Sequence, residues 1–525
     1  MTTKRISNEL LEQFSGFVNA SMGLHFPENR WLDLLRGIRS AAQEFGFDDI
    51  QACIQWLMSS PLKKNQIEVL ACHLTVGETY FFREAKIMEA LEQHVLLEVI
   101  RTHRVTDKRI RIWSAGCCTG EEAYSMAIML HRLLPDIKEW SINILATDIN
   151  PIFLKKAAQG IYRDWSFRET PSWIKDTYFT VRPDGSYEIL PEMKQLVKFS
   201  YLNLVEDVFP SVFNETNALD LIFCRNVMMY FTPNYVKEVI QRLYNSLLDK
   251  GWLVVGSSET SHVFFPQFVT VNFPGAIIYK KDQNQIQGCH RVENIIPNGQ
   301  VSAPVEEKTI QNINEIVHFS SISEMVQTQL DKKEDLIEEK VVEADEAEQN
   351  EEVEEEIDAV SFQEQLMALY TEGKYKETVL KIIEHFSDYE DDPEVLTILS
   401  KSYANQGQLD EALKYCEKAI YCDKLNPQYH HLHAAILQEK GQIDEAVDVL
   451  KRTLYLDPNF VLAHFMLGNL KRQTGQFAES KKYFENALSI LENHDKDDIL
   501  PESEGMNAGR LMELIRLSTN GETPA

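Results

Sequence analysis

Long hydrophobic runs are missing from the 525-residue sequence, and none approaches the roughly 18 residues that a membrane-spanning helix needs. The first residues also lack the charged and then apolar pattern that is typical of a secretory signal. The eight cysteines are scattered without the spacing of a disulfide framework or a zinc site, so we expect reduced thiols and no bound metal. These absences predict a cytoplasmic protein without direct membrane insertion.

Positive charge is scarce along the chain. There are 52 Lys and Arg residues against 81 Asp and Glu residues, which gives a net charge of −29. No basic run interrupts this excess, and an acidic surface repels the phosphate backbone of DNA or RNA. We therefore expect no nucleic-acid partner. The length exceeds what one hydrophobic core supports, which predicts roughly two to four domains.

Composition and periodicity divide the chain into regions of different character. Residues 1–85 have apolar residues three and four positions apart, which predicts a helical domain. Residues 86–282 alternate short apolar runs with amphipathic helices, the pattern of a parallel sheet with helices on both faces. Residues 283–358 lack periodicity and end in a dense acidic run, which predicts a disordered linker. Residues 359–495 repeat, and residues 496–525 form a polar tail.

The repeat is marked by glycines. Gly373, Gly407, Gly441 and Gly475 recur every 34 residues, each followed two positions later by an apolar residue. This period resembles the tetratricopeptide repeat, an all-α helix–turn–helix unit. Stacked repeats of this kind present a concave groove, so we expect a protein or peptide ligand, whose identity the sequence does not give. Because the acidic linker is long and repels itself, we expect a loose tether between the repeats and the rest.

The segment RIRIWSAGCCTGEE, residues 109–122, runs from an apolar strand through a glycine-containing turn into a helix. Gly116 allows a close approach of the backbone to a ligand. Glu121 and Glu122 occupy the first helical turn, where they would repel a diphosphate, so a cofactor with a positive centre fits better. The segment also lacks the dinucleotide fingerprint and the lysine of a P-loop. The alternative is that these acids only complement the helix dipole.

Polar residues follow three further apolar runs. Asp148 ends the predicted second strand, where an acid accepts hydrogen bonds from a ribose diol. Its alternative role is an N-cap for the helix that begins at Pro151. Arg225 and Asn226 follow residues 219–224, and Asn203 and Leu204 follow a shorter run, all at the expected ligand-binding edge of the sheet. Each could instead be a turn residue that satisfies backbone groups.

A last segment, VGETYFFRE at residues 76–84, joins the helical region to the α/β region. Its two phenylalanines, beside Thr79 and Arg83, predict a plug between the two domains. Arg83 could instead pair with a surface acid, a contact that contributes only about 0–1 kcal/mol.

Together, the motifs ETYFFRE, WSAGCCTGEEAYS, ATDIN, GIYR, NLVE and IFCRNVMMYF resemble those of the CheR-type chemotaxis receptor methyltransferases. The resemblance covers roughly residues 5–282. It implies an N-terminal helical domain, a doubly wound class I methyltransferase sheet and a small β-subdomain within residues 160–200. With the C-terminal all-α tetratricopeptide-repeat domain, the expected fold class is α/β.

The resemblance also implies S-adenosylmethionine as the cofactor and a role for each motif residue. The implied cofactor-binding residues are Thr79, Arg83, Gly116, Glu122, Asp148, Asn203, Leu204, Arg225 and Asn226. Glu122 would contact the methionyl amino group, Asp148 the ribose hydroxyls, and Asn203 and Leu204 the adenine. Arg83 and Tyr230 are the implied catalytic residues, with Arg83 orienting the substrate carboxylate.

The implied reaction is methyl transfer to glutamate side chains of methyl-accepting chemotaxis-type receptors. Two alternatives stay open: a non-catalytic scaffold that acts through its repeats, and a methyltransferase for small molecules or nucleic acids, which the net charge disfavours. The chain departs from the family pattern at Gly77, where relatives often have asparagine. It also keeps only Arg30, Arg36 and Arg39 in the usually arginine-rich N-terminal helix, which puts docking onto acidic receptor helices in question.

Overall fold

The structure is a computed structural model that describes residues 6–205, 208–261, 263–282, 292–295, 362–496, 498–501, 503 and 506–519. The predicted disordered linker, residues 283–358, therefore lies outside the described residues except for positions 292–295. There the prediction is wrong, because Val292–Asn294 form a strand that pairs with Thr270–Asn272 at the edge of the main sheet. Across these described ranges, no helix is both long enough and apolar enough to cross a membrane.

The N-terminal region is helical, as the spacing of its apolar residues predicted. Its helices are α1 (Asn8–Met22), α2 (Trp31–Glu44), α3 (Ile50–Leu57) and α4 (Lys64–Leu74). Ser7 and Asp49 accept backbone N–H groups at the starts of α1 and α3, which satisfies donors that a helix leaves unpaired. On α2, Leu34, Ile38 and Ala41 share one buried face in the core of this domain.

The central sheet carries the fold of the middle region. Its strands are β1 (Arg109–Ala115), β2 (Ser141–Asp148), β6 (Val197–Tyr201), β7 (Leu219–Cys224), β8 (Leu247–Val255), β9 (Val269–Phe273), β10 (Ala276–Lys280) and β11 (Val292–Asn294). Their order is β11-β9-β10-β8-β7-β1-β2-β6. Strands β6, β2, β1, β7 and β8 are parallel, and β10 is antiparallel to β8 and β9. The strand order reverses at β1, where open sheets of this kind bind ligands.

Helices cover the sheet on both faces, as the alternating pattern predicted. They are α5 (Ala85–Ala90), α6 (Leu96–Arg104), α7 (Glu121–Leu133), α8 (Pro151–Gln159) and α11 (Pro233–Ser246). Two separate apolar layers result, one on each face of β1 and β7. Burial on both faces explains why every residue of β7 except one aspartate is apolar.

A second, smaller sheet lies within residues 160–200, where the resemblance placed a β-subdomain. It consists of β3 (Ile161–Tyr162), β4 (Phe179–Val181) and β5 (Tyr187–Ile189), in the order β3-β5-β4 with antiparallel pairing. Two short helices, α9 (Ser172–Tyr178) and α10 (Pro191–Lys194), complete this unit.

The C-terminal region is all-α, as the 34-residue period predicted. Its helices are α12 (Phe362–Thr371), α13 (Tyr375–Glu384), α14 (Phe386–Tyr389), α15 (Pro393–Asn405), α16 (Leu409–Cys422), α17 (Pro427–Glu439), α18 (Ile443–Leu456), α19 (Val461–Gln473) and α20 (Phe477–Leu491). The four periodic glycines all have positive φ, between 74° and 77°, because each turns the chain between paired helices.

Part of the predicted polar tail also forms structure. Helix α21 (Ala508–Thr519) buries Leu511, Met512 and Ile515 in the core of the last repeats. These three positions share one helical face, so this part of the tail is amphipathic and packs its apolar face against α20.

The expectation of a loose tether between the two folded parts is wrong. Arg111 on β1 forms an ion pair with Glu439 on α17, with Nη1 and Oε1 2.8 Å apart, and both side chains are at most 5% exposed. Linker composition sets the reach of the chain between two domains. It carries no information about whether the surfaces of the two domains are complementary. In this protein the two surfaces are complementary and pack together.

Candidate active site

One cavity lies between the N-terminal helices and the carboxyl ends of the parallel strands. All the residues that the sequence singled out line it, although they come from separate stretches of the chain. They are Thr79, Arg83, Gly116, Glu122, Asp148, Asn203, Leu204, Arg225, Asn226 and Tyr230. The sheet brings most of them together because β1, β2, β6 and β7 are parallel and their following loops emerge at one edge.

The turn after β1 forms one wall of the cavity. Gly116 has a φ of 81°, a conformation that favours glycine, and a Cβ there would lie 2.3 Å from the Val227 side chain. The backbone N–H groups of Gly116 and Cys117 donate to the Thr147 carbonyl at 2.8 and 2.9 Å, which fixes the turn against β2. Glycine is therefore required both by the backbone conformation and by the packing against the loop after β7.

Asp148 is a buried carboxylate at the end of β2. It accepts the backbone N–H groups of Asn150 and Cys118, both at 2.8 Å. The N-cap of α8 is Asn150, whose side chain accepts two backbone N–H groups, so the alternative of Asp148 as that N-cap is wrong. Burial raises the pKa of Asp148 to about 6, even though the backbone donors act in the opposite direction. One accepted bond per oxygen leaves lone pairs for further donors from a ligand.

Glu122, which is partly buried, and the buried Arg225 form a charged pair in the wall of the same cavity as Asp148. Glu122 accepts the Ser114 hydroxyl at 2.7 Å and pairs with Arg225 at 3.1 Å. Arg225 also pairs with Glu84 at 3.2 Å and donates to the backbone carbonyl of Arg83 at 2.8 Å. Glu122 thus does more than complement the dipole of α7. Arg225 ties the segment that precedes α5 to the carboxyl edge of the sheet.

Arg83 and Thr79 lie on the segment that connects the two domains at the mouth of the cavity. The Arg83 guanidinium donates to the backbone carbonyl of Glu78 at 2.8 Å and lies 5.9 Å from the ring of Tyr80. In the part of the chain that the structure describes, no carboxylate forms an ion pair with Arg83, so the alternative of a surface salt bridge does not hold there. Its charge is available at the cavity wall.

Tyr230 lies on the loop after β7 and is half-buried. Its backbone carbonyl accepts the N–H of His25 at 2.7 Å, which joins this loop to the N-terminal domain. The guanidinium of Arg30 lies 5.5 Å from the Tyr230 ring. Burial raises the pKa of the phenol, so Tyr230 is protonated at neutral pH and can donate a hydrogen bond.

Asn203 and Leu204 form the wall after β6. The Asn203 side chain donates to the backbone carbonyl of Ser21 on α1 at 3.1 Å. The backbone carbonyl of Leu204 accepts Arg242 of α11 at 3.0 Å. This wall is therefore held from one side by the N-terminal domain and from the other by a helix of the sheet.

Glu259 is a residue that the sequence analysis missed. Its buried carboxylate accepts the backbone N–H groups of Asn226, Gly256 and Met229 at 2.6, 3.0 and 3.1 Å. It thereby fixes the loop that carries Asn226 and Tyr230. The signal was present, because Glu259 closely follows the apolar run of β8, at the same edge of the sheet as Arg225.

The residues present fit a cofactor with a nucleoside part and a positive centre. Three acidic residues, Glu78, Glu122 and Asp148, line the cavity, and Leu202 and Leu204 add an apolar wall. Asn226 has φ 58°, and its buried Oδ1 has no hydrogen-bond partner within the described ranges. An unpaired buried acceptor is costly, so a ligand donor placed at this oxygen would remove that cost.

Comparisons with protein families match both halves of the chain. The family described as "CheR methyltransferase, SAM binding domain" matches residues 77–272. The tetratricopeptide repeat matches residues 393–424, 427–460 and 461–494.

Comparisons with individual proteins point in the same direction. The chain is 37% identical over 195 residues to chemotaxis protein methyltransferase 2 of Vibrio cholerae. The aligned region covers 37% of this chain and 66% of that protein. It is 32% identical over 260 residues to the chemotaxis protein methyltransferase of Borreliella burgdorferi, which covers 49% of this chain and 89% of that protein. A solved MamA structure is 22% identical over 25% of this chain and 76% of that one, with a TM-score of 0.24, which supports no conclusion.

Proposed function

This chain belongs to the CheR methyltransferase family, and we propose that it methylates glutamate side chains of methyl-accepting chemotaxis-type receptors in the cytoplasm, forming methyl esters. The enzyme is a methyltransferase that uses S-adenosylmethionine. The observation that carries the proposal is the convergence of all the motif residues, from Thr79 to Tyr230, on one cavity at the carboxyl edge of the sheet.

The cofactor, when bound, supplies a methyl group activated by a positively charged sulfur. We assign Asp148 to the ribose hydroxyls, because its two oxygens each keep capacity for a further donor. Glu122 holds the methionyl ammonium, and Asn203 and Leu204 border the adenine. Gly116, Thr79, Arg225 and Asn226 shape the remaining walls.

The acceptor needs positioning rather than activation. A glutamate side chain has a pKa of about 4.3 and is ionised at neutral pH, so no general base is required. Arg83 orients this carboxylate, since among the described residues its guanidinium donates to a backbone carbonyl and pairs with no carboxylate. Tyr230, which also lines the cavity, donates a hydrogen bond to the same carboxylate. Catalysis then comes from alignment and from a site that excludes water while opposite charges neutralise.

A base-labile methyl assay tests the proposal. The full-length protein is incubated with radiolabelled S-adenosylmethionine and receptor-containing membranes from the same cell, and mild alkali should release volatile methanol. Membranes whose receptor carries glutamine at the candidate glutamates are the control and should release none. Label that resists alkali would indicate N-methylation and contradict the proposal.

The repeats support a second part of the proposal, since such domains bind proteins or peptides. We propose that they recruit a protein partner to the enzyme. A non-catalytic scaffold is not favoured, because the charged groups expected at the cofactor site are all present.

A further inference from the structure

The groove of the repeats faces the methyltransferase domain. Lys401 and Ala404 lie on one face of α15, and His431, Gln438 and Glu439 lie on one face of α17, at spacings of three, seven and eight residues that place them together. These faces belong to the first helices of two successive repeats. Each of these residues contacts a residue of the methyltransferase domain.

The occupant of the groove is the segment 208–218, which connects β6 to β7. The Phe213 ring stacks on the His431 ring, with centroids 5.0 Å apart and planes at 3°. The Lys401 ammonium lies 5.6 Å from the same ring. Val212 is buried in an apolar cluster with Ala404 and other residues of the repeats. The groove thus holds an aromatic and an aliphatic side chain from the chain's own enzyme domain.

Polar contacts surround this apolar centre. Gln438 donates to Glu215 Oε1 at 3.0 Å, and Asn217 donates to the backbone carbonyl of Ala404 at 3.3 Å. Glu439 pairs with Arg111, which also donates to the backbone carbonyl of Glu215 at 3.0 Å. The Glu215 carboxylate also pairs with Lys198 and accepts the Asn143 amide, both at 2.8 Å, within the methyltransferase domain. The contribution of the groove is therefore the ring contacts to Phe213 and the Gln438 amide that reaches a carboxylate two positions later.

The other end of the same connection forms a wall of the cofactor cavity. Leu202, Asn203 and Leu204 line that cavity. Arg242 donates to the backbone carbonyls of Leu204 at 3.0 Å and Phe209 at 3.4 Å, and its guanidinium lies 3.8 Å from the Phe209 ring. The Arg242 side chain thus contacts both the cavity wall and the start of the segment that lies in the groove.

We propose that the repeat groove is a control site for the cofactor cavity. A protein partner with a turn that carries an aromatic side chain and, two residues later, a carboxylate binds in place of residues 212–215, which themselves form a turn closed by the Thr216 N–H donating to the Ser211 carbonyl at 3.1 Å. Its entry releases the segment, loosens the Leu202–Leu204 wall and weakens binding of S-adenosylmethionine. The coupling is reciprocal, so bound cofactor weakens binding of the partner. This proposal rests on the cofactor site and names the partner class of the repeats.

The resident segment competes with any partner because it is part of the same chain. Its effective concentration at the groove is high, on the order of millimolar or more for a short connection. A partner segment of the same chemistry therefore binds the wild-type protein weakly. Removal of the aromatic anchor from the resident segment should expose the groove.

The test uses the full-length protein and a synthetic peptide with the sequence of residues 208–218, VFPSVFNETNA. The Phe213→Ala protein should bind this peptide about tenfold more tightly than the wild-type protein, the equivalent of one aromatic pair. A peptide with alanine in place of its second phenylalanine should not bind. Phe213→Tyr keeps the stacking and should behave as wild type.

Cofactor affinity is the second measurement. Calorimetry should give a Kd for S-adenosylmethionine that is several-fold higher in Phe213→Ala than in the wild-type protein. Saturating peptide should raise the Kd of this variant by several-fold more. The control is Tyr455→Ala, which removes a ring that is 87% exposed on α18 and should leave both affinities unchanged. Thermal unfolding confirms that the variants are folded.

Two results would overturn the proposal. One is a Phe213→Ala protein that binds the peptide no better than wild type. The other is peptide binding that leaves the cofactor Kd unaltered. Because both titrations measure binding alone, they are independent of whether receptor glutamates are the methyl acceptors, which the base-labile assay decides.

Discussion

Two edges of the same sheet each hold a buried arginine, and they differ in what surrounds it. At the carboxyl edge, Arg225 pairs with Glu122 and Glu84 beside the cofactor cavity, and its Nε has no partner among the described residues. At the amino edge, Arg111 pairs with Glu439 of the repeats, and its other Nη donates to Glu215 and Asn217. The same chemistry leaves room for a ligand at one edge and closes a domain contact at the other.

This comparison shows that burial of a charged pair does not by itself mark an active site. The useful signals are the empty space beside it and the unpaired acceptor on Asn226. Substitutions at the carboxyl edge should lower methyl transfer much more than substitutions at the amino edge.

The largest effect is expected at the carboxyl edge. Arg225→Met leaves Glu122 and Glu84 without their shared cation, so we expect loss of measurable methyl transfer and about 3–5 kcal/mol of lost stability. The base-labile methyl assay and urea unfolding measure these two effects, and a cofactor titration shows whether the loss of methyl transfer arises from weaker binding of S-adenosylmethionine. A variant with normal cofactor affinity would show that Arg225 does not organise the site.

The next effect concerns the mouth of the cavity. Arg83→Ala should lower kcat about 100-fold, because a misplaced acceptor reacts poorly. Stability should change by no more than about 0.5 kcal/mol, since Arg83 donates only to a backbone carbonyl in the described structure. Arg83→Lys is the matched control and should retain part of the activity. Wild-type turnover in Arg83→Ala would remove its assigned role.

A pH dependence follows from Asp148, whose pKa is raised to about 6. Ribose hydroxyls donate to the carboxylate and lose this acceptor when it is protonated, so affinity is full above about pH 6. Below that value, the Kd for S-adenosylmethionine should rise about tenfold per pH unit. Asp148→Asn should bind weakly at every pH, with a flat profile. A wild-type Kd that stays constant between pH 5 and 7 would contradict the assignment.

The smallest effect on methyl transfer is expected at the amino edge. Arg111→Met, the same substitution as at Arg225, leaves Glu439 buried without its cation and should cost about 3–5 kcal/mol of stability. Methyl transfer at saturating cofactor should fall only a few-fold, because Arg111 lies at the opposite end of β1 from Gly116. Equal activity losses in the two arginine variants would erase the distinction between the edges.

The sequence predicted the sheet and the cavity well because both depend on local order. The apolar strand expected at the start of residues 109–122 is β1, Arg109–Ala115, and every residue predicted for the site lines the cavity. Parallel strands place their following loops at one edge, so the position of Asp148 or Arg225 after an apolar run was sufficient information.

The contact between domains could not be predicted in this way. Arg111 and Glu439 are 328 positions apart, and neither belongs to a motif. Such a contact depends on two folded surfaces that form independently, and one sequence without a structure gives no pattern for their complementarity. The position of Glu259 after the apolar run of β8 was visible in the sequence, but its role was not, because its partners are backbone N–H groups, which every residue except proline has.

Helix α21 has a consequence for how this protein can assemble. It covers the apolar surface of α20 with Leu511, Met512 and Ile515, the surface onto which a further helical pair would otherwise stack. Growth of the superhelix past this point, or end-to-end joining of two copies through it, would first require α21 to detach. Helix α21 therefore acts as a cap that blocks stacking of further helices on α20.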